Sequence, residues 1–110
     1  MKQFLIIILL SYNLFASSYP SLLFSGNCET CHKIGESISA PSINLIRKRY
    51  KEAFFDKQEF IKYMSQWVYN PNEQGSLMLD QVNKYGLMPN LSYDKKTLEE
   101  IASYIFETEF

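Results

Sequence analysis

The chain is poor in the residues that hold metals. It has one histidine in 110 residues, His32, and two cysteines, Cys28 and Cys31. A structural zinc site takes about four Cys or His ligands, so this chain alone cannot build one. One histidine also excludes two imidazoles on a single metal within one molecule. Net charge is scarce as well: the formal value is −1, and nothing in it suggests a nucleic-acid partner. The chain shows no convincing strand and no internal repeat. Its most apolar run, Phe4 to Leu10, falls well short of the ~20 residues that span a bilayer.

The three scarce residues stand together. Cys28-Glu29-Thr30-Cys31-His32 is a Cys-x-x-Cys-His pattern, the attachment signature of c-type haem. The spacing follows from the chemistry. Two thiols three residues apart lie on one turn of backbone and reach the two vinyl groups of one haem, forming thioethers. The next residue then offers its imidazole to the iron as proximal ligand. A structural disulfide would use the same cysteines but give His32 no role. A thioredoxin-like site needs a βαβ setting, and the sequence downstream reads as helical.

With no second histidine, the natural sixth ligand is a methionine thioether, which favours Fe(II) and raises the potential. Four methionines are available: Met1, Met64, Met78 and Met88. Met1 belongs to a leader. Residues 1–16 read as an export signal, with Lys2 as the charged region, Phe4–Leu10 as the apolar core and Leu14-Phe15-Ala16 before the cut. An uncleaved membrane anchor is the alternative. Export suits haem attachment, which bacteria perform outside the cytoplasm, so the expected location is periplasmic. Residues 17–110 then form one small domain. Its thin core would be strengthened by a covalent haem, as metals and disulfides strengthen other small folds.

Helical signals recur along this domain. Pro20 is placed to open a helix, with Leu22, Leu23 and Phe24 as its inner face. Ser42 to Lys51 carries Ile43, Leu45 and Ile46 at helical spacing. Asp56-Lys57-Gln58-Glu59 has the form of a capping box and opens a helix over 57–69. There Phe60, Ile61, Met64, Trp67 and Val68 recur at i, i+3, i+4. Residues 77–85 form a short helix closed by Gly86. Ser92 is placed to cap a last helix over 93–107, with Leu98, Ile101, Ala102 and Ile105 on one face.

This order of elements resembles the class I c-type cytochromes, across essentially the whole domain. Three segments carry the likeness: Leu23 through His32; Ala40-Pro41-Ser42; and Gly86-Leu87-Met88-Pro89-Asn90-Leu91-Ser92 with the helix after it. The resemblance implies an all-α, cytochrome c-like fold of three to five helices wrapped around one covalently bound haem c. It places the carbonyl of Pro41 against His32 and the thioether of Met88 on the iron. Loop placement between Gly86 and Pro89 independently favours Met88. Met64 reads as core, and Met78 as core or pocket lining.

Trp67, the only tryptophan, needs a partner for its indole N–H when buried. A haem propionate and a backbone carbonyl both serve. Tyr63, Tyr69 and Tyr85 are further propionate candidates. The basic run Arg47-Lys48-Arg49-Tyr50-Lys51 is either a docking patch for an acidic redox partner or a solvated helix face.

The expected function is that of a monomeric one-electron carrier and not an enzyme. It would work between respiratory proteins, a quinol-oxidising complex on one side and a terminal oxidase or reductase on the other. No stable membrane insertion of the mature chain is expected. Two alternatives remain: a small haem subunit of an oxidoreductase, and a haem-based ligand sensor. A di-haem peroxidase would need a second Cys-x-x-Cys-His, which the chain lacks.

Overall fold

The computed structural model describes residues 19–110; the leader reading of residues 1–16, and Met1 with it, falls outside them. The described residues are helical, with no strand. None of their helices is long and apolar enough to cross a membrane.

The first helix, α1, includes residues 19–27 of those described, Pro20 among them. Its inner face is not the consecutive trio expected. Phe24 is buried, Leu23 is half-buried, and Leu22 is 67% exposed. Helix geometry explains the difference. At about 100° per residue, positions 22 and 24 point to nearly opposite sides, so three consecutive residues cannot share one face.

A loop then runs from Cys28 to Pro41, pinned at its base. The amides of Ile43 and Asn44 donate to the carbonyls of Lys33 (2.8 Å) and Ile34 (3.1 Å). These are first-turn amides of α2, Ile43–Ala53, which a helix cannot satisfy internally. Ser42 caps the same helix by accepting from the amide of Leu45 at 3.2 Å.

Helix α3, Lys57–Tyr69, has the expected bounds. Asp56 is its N-cap and accepts from the amide of Glu59, the forward half of the expected box. Helix α4, Leu79–Tyr85, is followed by Gly86 at φ 89°, a left-handed value natural to glycine. Helix α5 is Lys95–Glu107, and its N-cap is Asp94, not Ser92. Ser92 sits at φ 61°, whereas an N-cap needs extended backbone. Asp94 has that geometry. It accepts from the amide of Thr97 at 3.3 Å and from the Thr97 hydroxyl at 2.6 Å.

Helices α3 and α5 form the principal pair, with α2 against both. Phe60 is fully buried between Tyr50 of α2 (ring centroids 5.8 Å) and Phe106 of α5 (5.1 Å). Helix α1 meets α5 through Phe24, which packs on Tyr104 and on Phe110 of the C-terminal tail. Helix α4 makes no close backbone approach to α2, α3 or α5; a cavity lies beside it.

The basic run of α2 is largely tied inside the molecule. Arg47 donates to the carbonyls of Ile105 (2.9 Å) and Phe106 (3.0 Å), satisfying orphan carbonyls at the end of α5. Arg49 grips Asp80 of α4 with two bonds of 2.9 and 2.8 Å. The ammonium of Lys51 lies 4.6 Å from the Phe106 ring centroid. Lys48 approaches only the exposed Glu52, at 4.0 Å. Neither a uniform docking patch nor a plain solvated face describes such a run.

Candidate functional site

The Cys28–His32 segment extends α1 as a turn. The amides of Cys28 and Glu29 both donate to the carbonyl of Phe24, and the amide of His32 donates to that of Cys28 at 2.9 Å. Both cysteines are unpaired; Cys28 is half-buried and Cys31 exposed. Burial pushes the Cys28 thiol up to about 11, with the neighbouring Cys31 adding to the effect. Thiolate is the reactive form of cysteine, so Cys28 is held protonated at neutral pH.

His32 is oriented by the loop that follows it. Its Nδ1 lies 2.8 Å from the carbonyl oxygen of Pro41. A carbonyl only accepts, so Nδ1 carries a proton, and in the neutral ring Nε2 keeps its lone pair. This is the arrangement in which a histidine is presented to a metal, with ring orientation and tautomer fixed by the second nitrogen. Proline holds its own φ, and Ser42 next to it is fixed from both sides. Its amide donates to the hydroxyl of Ser37 at 2.8 Å, and its side chain caps α2.

Cys28, Cys31 and His32 share one cavity of about 290 Å³ with Pro41, Trp67 and Met88. These six sequence candidates therefore line the same space. Its other walls are mainly apolar: Ile43 and Ile46 of α2, Val68 of α3, Val82 of α4, and Leu98, Ile101 and Ile105 of α5. The apolar stripe of α5 thus faces the cavity, while Tyr104 makes the ring contact with α1.

Met64 and Met78 line the cavity too. Both are buried members of the hydrophobic core cluster, whereas Met88 is half-buried and outside that cluster. Trp67 contributes a wall, but its indole N–H donates to the backbone carbonyl of Asn72 at 3.0 Å. The indole N–H is thereby satisfied within the protein. Among Tyr63, Tyr69 and Tyr85, only Tyr85 reaches the cavity. Tyr63 is stacked on Phe54 at 4.4 Å, and Tyr69 lies under Lys95.

Several cavity residues escaped the sequence reading, chiefly Asn27, Tyr50, Ser65 and Gln81. Tyr50 had a signal, since 43, 46 and 50 follow the i, i+3, i+7 pattern of one helix face; the flanking charges hid it. Asn27 and Gln81 are polar and gave no signal of burial.

The donor set suits a broad ligand better than a bare ion. Among the described residues no three His, Cys, Asp or Glu side chains converge to share a metal. Cys28, Cys31 and His32 instead stand along the edge of a wide apolar space, with methionine sulfur among its walls. A broad, mostly apolar group fits this lining. Comparisons with family models, curated proteins and solved structures gave no match to this chain.

Proposed function

We propose that this chain is an exported monohaem c-type cytochrome of class I, carrying one electron at a time between larger redox proteins. One observation supports the reading above others. The single histidine is fixed by the Pro41 carbonyl at 2.8 Å and shares its apolar cavity with both cysteines and with methionine. That combination joins the attachment pattern to a tautomer suited to iron.

Cys28 and Cys31 supply the two thiols for covalent attachment. His32 offers Nε2 as proximal ligand, and Met88 offers its thioether from the loop between Gly86 and Pro89. When bound, the haem supplies an iron that gains and loses a single electron. The residues of α2, α3, α4 and α5 that line the cavity exclude water from that group and lower the local dielectric. The only histidine is committed to the Pro41 carbonyl, so no second imidazole is present for acid–base work on a substrate. This favours a carrier over a peroxidase-like enzyme.

The test is expression of the full chain in an export-competent host with haem maturation. Haem-stained denaturing gels and a redox titration are then run on the parent, Cys28→Ala and Cys31→Ala. The parent should carry covalent haem and titrate as a one-electron couple, and each variant should lose stable holoprotein. Normal holoprotein from both variants would remove the c-type assignment. A high-spin parent that binds CO readily would move the reading to a ligand sensor.

A further inference from the structure

The loop that carries Met88 has almost no backbone support of its own. Residues 87–93 make no backbone–backbone hydrogen bond among the described residues, and Pro89 has no amide to donate. The only internal tie is local: the side chain of Asn90 accepts from the amide of Ser92 at 2.9 Å. Yet Leu87, Met88, Pro89 and Leu91 form part of the cavity wall.

Two tyrosine hydroxyls stand at the ends of this loop. Before it, Tyr85 donates to the carbonyl of Ser37 at 3.1 Å. After it, Tyr93 donates to Oδ1 of Asn27 at 2.6 Å. Both acceptors belong to the segment that carries His32. Ser37 also accepts, through its hydroxyl, from the amide of Ser42 beside Pro41. Asn27 directly precedes Cys28 and is itself held by a 2.8 Å bond from Nδ2 to the carbonyl of Leu23. The chain thus fastens the Met88 loop, at each end, to the structure that orients the histidine.

We propose that Tyr85 and Tyr93 are positioning residues whose hydroxyl bonds bracket the 86–92 loop and hold Met88 on the wall of the cavity it shares with His32. The consequence for iron ligation rests on the haem reading above; the bracket itself does not. Each bond resists opening of the loop by the net worth of one hydrogen bond. Removing one should multiply the open population about fivefold. The two ties are far apart in sequence and at opposite ends of the loop, so their effects should compound.

The test uses the full-length exported protein as parent, Tyr85→Phe, Tyr93→Phe, the double variant and Tyr63→Phe. Phenylalanine keeps the ring and removes only the hydroxyl. Tyr63 lies away from the cavity and serves as control. Amide hydrogen exchange is followed at residues 87, 88 and 90–92, and imidazole capture by the ferric iron is timed. Exchange and capture should each rise about fivefold in the single variants and more than tenfold in the double, with Tyr63→Phe and the amides of α3 unchanged. Parent-like exchange in either single variant would overturn the bracket. The two readouts separate the claims. A parent that captures no imidazole but shows faster loop exchange in the variants removes the haem reading and leaves the bracket standing. A parent that captures imidazole, with all variants matching it, removes the bracket alone.

Discussion

Raising the pH should destabilise this fold through a single side chain, Tyr50. It is 6% exposed and packed against Phe54 and Phe60. Burial pushes its hydroxyl up from 10 to about 12, because charging it would place a phenolate among apolar neighbours. The sign follows from proton binding. Between pH 10 and 12 the unfolded chain has released this proton and the folded chain still holds it. Stability is therefore complete below pH 10 and falls as pH climbs toward 12. A shift of about two pH units is worth about 2–3 kcal/mol at 1.36 kcal/mol per unit, a large share of the stability of a domain this size. The assay is urea unfolding of the parent and of Tyr50→Phe at intervals from pH 8 to pH 12. Other tyrosines and the lysines titrate in both proteins, so the informative quantity is the difference between them. That difference should be flat to about pH 10, then move by about 2–3 kcal/mol in favour of the variant by pH 12. Parallel curves across the whole range would refute the argument, since Tyr50 would then titrate alike in both states.

Two further outcomes are expected. Met88→Ala should lose the long-wavelength sulfur-to-iron charge-transfer absorption and shift to lower potential, because thioether ligation favours the reduced state. Met78→Ala should keep both, and the reverse pattern would transfer the ligand role to Met78. Ile101→Ala should cost ~2–5 kcal/mol in urea unfolding, since Ile101 is 4% exposed within the core cluster. A loss well under about 1 kcal/mol would show that α5 tolerates truncation at the centre of its apolar stripe.

What the sequence made legible is what short stretches decide. Helix α3 matches its expected span because Asp56 at one end and Asn70-Pro71 at the other act within a few residues. Gly86 ends α4 for the same kind of reason. The start of α5 was misplaced by two residues because Ser92 and Asp94 are both good caps by type. The backbone at Ser92 is left-handed, a property no side chain announces. The ties between distant segments were the least legible. Arg47 satisfies carbonyls 58 and 59 residues away, and Tyr93 reaches Asn27 across 66. A run of basic residues looks the same in sequence whether its charges face water or close another helix.

The candidate site divides along the same line. The thiols and imidazole of the proposed attachment lie in five contiguous residues, and their spacing is read without a fold. Its enclosure is assembled from four other helical segments, none of which is distinctive alone. Apolar stripes of α2, α3 and α5 were readable as inner faces, but a stripe does not say whether it meets another helix or a ligand. Here the answer lies in the arrangement. Helix α4 approaches none of α2, α3 or α5 closely along the backbone, yet Met78 and Val82 at its inner side are buried. It is fastened instead by its ends and flank: Arg49 to Asp80, and Tyr85 to Ser37. Val82 and the adjacent Met78 stand on the wall of the cavity that also receives Ile101 and Ile105 of α5, so this helix closes one side of the space while held at its margins. On the haem reading proposed above, a broad apolar group anchored at Cys28 and Cys31 would fill that space and add the interior that so small a domain has difficulty building from its own side chains.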